Sequence, residues 1–168
     1  MRTAGPLGPE IWIRGPVPVP EVASPEPARA SAVPWRCSFV GTHGGAGTST
    51  LAAVYGGQDC GRDWPGPAGP RSVLLVARTH AAGLRSALHA LEAFRHGEAP
   101  PGLVVDAVVL VADAPGRLPR PLAQRVKEIE SVIDVYRVPW VPAWRLGDLS
   151  GSRPRESEAL ARLTATRA

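Results

Sequence analysis

The amino-acid sequence predicts an α/β domain, a small parallel sheet with flanking helices in a three-layer, Rossmann-like arrangement. Two observations support this fold class. Short apolar runs typical of buried strands alternate with segments whose apolar residues recur at helical spacing, a pattern that favours parallel strands joined by helical crossovers. A glycine cluster follows the first apolar run, at the point where a turn from strand to helix is expected.

Four strands and four helices are expected in order along the chain. The first strand is the run RCSFVG, and the helix STLAAVYGG follows it, closed by its final glycine pair. The next stretch is rich in glycine and proline and is predicted to be a loop. Thr79 is expected to cap the second helix, which Gly97 ends, and Pro119 opens the third. The other strands are predicted at 73–77, 103–113 and near 135–138.

Composition divides the chain into three parts. Residues 1–34 hold many of the 19 prolines and are predicted to be a disordered, Pro-rich tail. Residues 35–150 form the α/β domain, and residues 151–168 form a C-terminal tail with one exposed helix that frays. The apolar segment around Trp12 is interpreted either as a piece that docks on its own domain or as a linear motif for a partner.

The bulk properties exclude several classes of protein. Two cysteines among 168 residues are too few for a disulfide scaffold. No apolar run is long enough to span a bilayer and no signal peptide is evident, which predicts a cytoplasmic protein. A net charge of +4 with a pI near 9.8 is compatible with nucleic acid as a partner, but supports it only weakly.

The stretch GTHGGAGTST has most parts of a phosphate-binding loop. Glycines let backbone N–H groups turn toward an anion, and the following helix contributes the positive end of its dipole. An ordinary loop of this kind adds a lysine for the phosphates and then a hydroxyl for Mg²⁺. Here Gly47 is in place, Thr48 stands at the lysine position and Ser49 at the hydroxyl position. The loop therefore keeps the N–H groups and the hydroxyl but lacks the lysine.

Within this loop, HGGAGTST resembles the deviant Walker loop of the MinD/ParA-type partitioning ATPases, K-G-G-x-G-K-[ST]-T. His43 falls on that family's signature lysine, Thr48 on its Walker lysine, and Ser49 and Thr50 on its hydroxyl pair. The chain also resembles a small uncharacterised family of high-GC bacterial proteins with an HGGAG loop and DAPGRLP and PWxxxWR motifs.

The MinD/ParA resemblance implies a minimal P-loop NTPase-like domain that binds ATP or another nucleotide with Mg²⁺, the metal ion lying on Ser49. The residues expected to bind the nucleotide are His43, Gly44, Gly45, Ala46, Gly47, Thr48, Ser49 and Thr50. That family uses its signature lysine across a dimer interface, so a homodimer is implied as well, although His43 at this position puts such a dimer in doubt.

Residues that could supply a carboxylate for Mg²⁺ or a cation in place of the lysine follow the second and third predicted strands. In VVLVADAPG, Asp113 and Gly116 match a hydrophobic run followed by DxxG, so Asp113 is a weak candidate for holding Mg²⁺ through water and for catalysis. The competing interpretation makes Asp113 a base-contacting or strand-end capping residue. Arg78 and Arg117 either replace the lysine or are ordinary surface residues. The 51–72 stretch is too short for both the switch strand and the Walker B strand of the resembled family.

These observations favour a degenerate P-loop domain that binds a nucleotide or phosphate without efficient hydrolysis and acts in regulation or partner interaction. If the domain is an active enzyme, a weak ATPase is expected. The alternative is a non-enzymatic adaptor with no nucleotide bound, linked by the resemblance to plasmid or mobile-element functions. Its protein partner would contact the Trp140 and Trp144 region, because Trp and Arg are enriched at interface hot spots.

Overall fold

The structure, a computed structural model, describes residues 35–165. The predicted Pro-rich tail and its Trp12 segment lie outside the described residues. Five parallel strands form one sheet in the order β2-β1-β3-β4-β5. The strands are β1 (Ser38–Gly41), β2 (Gln58–Asp59), β3 (Ser72–Arg78), β4 (Val104–Val111) and β5 (Asp134–Val138). The helices are α1 (Thr48–Tyr55), α2 (Ala81–Arg95), α3 (Arg120–Glu130), α4 (Pro142–Arg145) and α5 (Glu158–Thr164), with a 3₁₀ turn at Arg155–Ser157.

The predicted α/β fold with a parallel sheet is confirmed, and each face of the sheet carries its own core. Neighbouring residues of a strand point to opposite faces, so the continuous apolar runs bury side chains on both sides of the sheet. On the face of α1 and α5 the core includes Phe39, Leu51, Leu74, Val109 and Leu160. On the face of α2 and α3 it includes Val73, Leu84, Leu110, Val126 and Ile129.

Strand β2 lies in the stretch predicted to be a loop. Its two residues pair in parallel with β1, Gln58 with Ser38 and Asp59 with Phe39. A strand this short has no alternation of apolar and polar residues to reveal it. The preceding Gly57, at φ +132°, runs so close to β1 that a Cβ there would lie 2.9 Å from the Phe39 ring. Only glycine allows this approach, which brings the end of β2 beside the glycine loop.

The cap of α2 also differs from the prediction. His80, not Thr79, is the N-cap residue, and its Nδ1 accepts a hydrogen bond from Gly83 N–H at 2.9 Å. The Thr79 hydroxyl oxygen instead accepts from the Asp113 N–H at 3.0 Å and ties the ends of β3 and β4 together. Histidine is an unusual cap, which is why propensity favoured the neighbouring threonine.

A helix in the C-terminal segment is confirmed, but its predicted exposure is wrong. Leu160 of α5 is completely buried, in the core cluster that also contains Leu51 and Tyr55. The Tyr55 hydroxyl donates to Ser157 Oγ at 2.5 Å, and the Thr164 hydroxyl donates to the Tyr55 carbonyl at 2.9 Å. The core on this face therefore extends past residue 150, because Leu160 is buried in it and Ala161 and Leu163 pack against it.

None of the described helices is long and apolar enough to cross a bilayer.

Leu160→Ala tests the structural role of α5. Removing a fully buried leucine leaves a cavity, and we expect the free energy of unfolding to fall by about 2–5 kcal/mol, measured by urea denaturation. Leu146→Ala is the matched control, because Leu146 is 87% exposed and its truncation should change stability by no more than about 0.5 kcal/mol. Equal effects of the two substitutions would contradict the docking of α5.

Candidate functional site

The glycine loop lies where the direction of the chain across the sheet reverses. Strand β1 pairs with β2 on one side and with β3 on the other. The connection after β1 leads to one edge of the sheet, and the chain then returns past β1 to build β3, β4 and β5. Open parallel sheets bind ligands in the crevice at the carboxyl ends of the strands flanking such a reversal. The predicted loop occupies this crevice.

The backbone of the loop needs its glycines. Gly45 and Gly47 have φ values of +73° and +108°, in the left-handed region that side chains disfavour. Gly47 directly precedes α1, and no side chain caps this helix. The first N–H groups of a helix have no intrahelical acceptor, and no heavy atom lies within 4 Å of the Cβ positions of Gly44 and Gly45. The loop and helix end therefore present free N–H groups beside open space, an arrangement suited to an anion.

The His43 side chain is held by backbone groups on either side of its ring. Its Nε2 accepts a hydrogen bond from the Arg78 N–H at 3.0 Å, and its Nδ1 lies 2.9 Å from the Gly44 carbonyl oxygen. A backbone N–H only donates, so Nε2 is unprotonated and Nδ1 carries the hydrogen. Both ring nitrogens thus face backbone groups, and the ring centroid lies 5.1 Å from that of His80.

Arg78 brings a positive charge to the loop. Its Nε donates to the Gly45 carbonyl and its Nη1 to the Ala112 carbonyl, each at 3.2 Å. Its Nη2 lies 3.7 Å from the point that a Cβ on Gly47 would occupy. The guanidinium therefore lies over the glycine turn at the start of α1, so Arg78 belongs to the site. Arg117, the other candidate, lies away from the loop on the 113–119 connection.

A second guanidinium lies beside the first. Arg145 stacks on the Trp140 ring, with Cζ 4.5 Å from the ring centroid, and shares a small cleft with Gly47, Thr50 and Arg78. Burial lowers the pKa of Arg78, and the positive charge of Arg145 lowers it further, against the opposing effect of Asp113. Within residues 35–165, neither arginine forms a salt bridge. The cleft therefore holds two neighbouring cations, a charge arrangement that favours an anion.

Asp59 is a site residue that the sequence prediction missed. It ends β2, and its Oδ1 accepts the Gly61 N–H at 2.9 Å. Burial raises the pKa of the Asp59 carboxyl, but hydrogen bonding to Ser49, to the Gly61 N–H and to Thr48 outweighs this and lowers the pKa overall. A carboxylate therefore lies beside the hydroxyl expected to bind Mg²⁺. In the sequence, only its position shortly after the first predicted helix, within a predicted loop, could have indicated Asp59 as a site residue.

The remaining predicted residues occupy less direct positions. Thr48 is buried in the first turn of α1, and Ala46 is buried beneath the loop, while Thr50 lines the cleft with the two arginines. Asp113 follows β4, which β3 separates from β1. Its N–H donates to Thr79 Oγ1. The structure thus places Asp59, not Asp113, beside Ser49.

The described residues contain no cluster of three or more His, Cys, Asp and Glu side chains able to hold a metal ion by themselves. Mg²⁺ at phosphate sites does not need one, because it commonly takes one or two protein oxygens together with phosphate oxygens and water. The donor set of Ser49 and Asp59 fits that requirement.

The chain belongs to a family of unknown function (DUF6668), whose model matches residues 35–162. This match spans the whole sheet and most of α5. Neither the curated proteins nor the solved structures contained a match to the chain.

His43→Ala tests the structural role assigned to His43. The substitution leaves the Arg78 N–H without its acceptor, so we expect the free energy of unfolding to fall by roughly 1–3 kcal/mol, measured by urea denaturation at neutral pH. His89→Ala is the control, because His89 is exposed on α2 and its loss should cost no more than about 0.5 kcal/mol. A His43 variant as stable as the control would mean that this bond contributes nothing.

Proposed function

We propose that this domain binds a nucleotide or another phosphate compound with Mg²⁺, does not hydrolyse it efficiently, and acts in regulation or in interaction with a partner. The observation that carries the proposal is the meeting of three groups at one crevice: the open glycine turn, the Arg78 guanidinium above it and the Asp59 carboxylate beside Ser49. These groups are separated along the sequence, and the pairing of β1 with β2 and with β3 brings them together.

Phosphate binding follows from the first two groups. Free N–H groups of the loop and of the first turn of α1 donate to phosphate oxygens. Arg78 supplies the charge that a loop lysine would provide, and its Nη2, which donates to neither carbonyl, lies on the side of Gly47. Because Arg78 is already anchored on the Gly45 and Ala112 carbonyls, its orientation at the loop is largely fixed before the ligand arrives.

Mg²⁺ binding follows from the third group. In phosphate-binding loops the metal ion is held by the hydroxyl after the lysine position and by an acidic residue on a neighbouring strand. Ser49 and Asp59 are the residues of this chain that meet those requirements. Asp59, whose pKa is lowered from its ordinary acidic value, is charged at neutral pH, as a ligand for a divalent cation must be.

Slow turnover follows from what the site lacks. Phosphoryl transfer needs positive charge placed where negative charge develops and a group that orients the attacking water. The two lysine positions of the resembled family hold His43 and Thr48, and the His43 ring is bonded to the backbone of Arg78. The Asp59 carboxylate beside the loop already accepts the Gly61 N–H through Oδ1.

A protein-binding surface remains the second candidate function, on one specific observation. Leu146 is 87% exposed, and it follows the half-buried Trp144 and the Arg145–Trp140 stack. Aromatic residues and arginine are enriched at interface hot spots. In this alternative the domain is an adaptor that binds no nucleotide, and its partner covers this corner of the domain.

The first test is a thermal-shift titration with ATP, ADP and GTP, each with and without Mg²⁺. A ligand at a hundred times its Kd adds about 2.7 kcal/mol, which raises Tm by roughly 5–11 °C for a chain of this size. We expect a Mg²⁺-dependent shift that Ser49→Ala and Asp59→Asn both abolish. Asp63→Asn is the control, because Asp63 is exposed and lies on the same connection. No shift with any nucleotide at millimolar concentration would reject the proposal and leave the adaptor.

The contribution of Arg78 is tested separately. We expect Arg78→Gln to weaken nucleotide binding at least tenfold, which corresponds to about 1.4 kcal/mol, as measured by isothermal titration calorimetry. Arg85→Gln changes the charge by the same amount on the exposed surface of α2, so it controls for long-range electrostatics. Equal affinities of the two variants would show that Arg78 does not contact the ligand.

A further inference from the structure

A separate cavity of about 490 Å³ opens at the carboxyl edge of the sheet. Its size is within the range of small-molecule sites. The apolar wall comes from β4, β5, α3 and the connection before α3, through Leu110, Val138, Leu118, Leu122 and Val126. No residue of the 43–50 loop lines the cavity, and of the other candidates for that site Asp113 and Arg117 do. The cavity is therefore distinct from the phosphate site.

The connection between β4 and α3 covers one side of this cavity. Residues 113–119 contain Pro115 and Pro119, whose rings restrict the backbone, and Gly116 at φ +90°. Pro119 is followed directly by α3. A connection constrained in this way collapses poorly onto the apolar wall, so the wall remains available to a ligand.

Two hydrogen-bonding groups face the cavity from the start of α2. His80 Nδ1 accepts the Gly83 N–H at 2.9 Å, so in the neutral ring Nε2 carries the hydrogen and donates. Thr79 Oγ1 accepts the Asp113 N–H, which leaves its hydroxyl hydrogen free to donate. No acceptor for either hydrogen is found among the described residues. Both residues line the cavity and suit a ligand whose edge carries hydrogen-bond acceptors.

The charged residues around the cavity balance one another. Arg117 and Arg137 are opposed by Asp113 and Glu156. Arg137 is already paired with Glu130 at 2.6 Å. A charged ligand would meet a like charge whichever sign it carried, whereas a neutral ligand is not penalised. The lining therefore favours an uncharged molecule with apolar faces.

We propose that this cavity is a second ligand site, for an uncharged, flat nitrogen heterocycle. Its faces pack against the aliphatic side chains of α3 and β5, and its ring nitrogens or carbonyl oxygens accept hydrogen bonds from His80 Nε2 and Thr79 Oγ1. Small-molecule sites commonly combine apolar walls with a few polar groups that fix orientation. This site shares no residue with the free N–H groups of the glycine loop, so it does not depend on nucleotide binding there.

The test uses the full chain and quinoxaline, an uncharged two-ring heterocycle with ring-nitrogen acceptors, titrated by isothermal titration calorimetry. Hypoxanthine is a second probe, and 2-naphthoate is the charged comparator of similar size. We expect saturable binding of quinoxaline, tighter than that of 2-naphthoate. Leu122→Trp fills the cavity and should weaken binding at least tenfold, a change of about 1.4 kcal/mol. His80→Asn retains a good helix cap but removes the Nε2 donor, and should weaken binding roughly fivefold.

Two control variants test whether the ligand binds in this cavity. Val132→Trp adds the same bulk at an exposed position just after α3, outside the cavity lining, and should bind as the wild type does. Ser49→Ala should also bind unchanged, which separates this site from the glycine loop. Absence of saturable binding by both heterocycles, or equal affinities of the Leu122→Trp and Val132→Trp variants, would overturn the site. Tighter binding of 2-naphthoate would overturn the ligand class. If Leu122→Trp does not fold, the His80→Asn variant tests the site, and an affinity for quinoxaline equal to that of the wild type would overturn it.

Discussion

The hydrogen bond from the Arg78 N–H to His43 Nε2 joins the glycine loop to the end of β3, and the rest of the site depends on it. It fixes the tautomer of His43 and holds the ring against the end of β3. It also orients the backbone at Arg78, from which the side chain reaches back over the loop to the Gly45 carbonyl. One contact thus removes a cation from one position and sets another in place.

The resulting charge distribution differs from that of a lysine-bearing loop. A loop lysine reaches the phosphates from within its own helix turn, whereas Arg78 comes from the neighbouring strand and Arg145 from α4. Two adjacent guanidinium groups repel each other, and the stack on Trp140 offsets only part of that cost. An anion between them relieves the repulsion. This arrangement of charges supports the proposal that the site binds an anion without efficient phosphoryl transfer.

Local patterns were sufficient to predict the elements that pack both faces of the sheet, and the loop itself. The strand-length apolar runs became β3, β4 and β5, and the glycine cluster lies between β1 and α1. What local patterns did not predict depends on contacts between distant segments. Strand β2 forms only because Gly57 allows a close approach to Phe39, and Asp59 becomes a site residue only through that pairing. The burial of α5 likewise depends on Tyr55, about a hundred residues earlier.

The same geometry bears on how a regulatory role would operate. A switch driven by hydrolysis needs an element with two arrangements that respond to the γ-phosphate. The chain between α1 and β3 holds only the two-residue β2 and a proline-rich connection, which leaves no room for a switch strand. Each residue of the 78–80 segment forms a hydrogen bond that holds it in place. The Arg78 N–H donates to His43. Thr79 Oγ1 accepts from the Asp113 N–H, and His80 Nδ1 accepts from the Gly83 N–H. Under the proposed function, the described connection between α1 and β3 offers no element to distinguish a triphosphate from its hydrolysed product, so the domain would respond to the presence of its ligand.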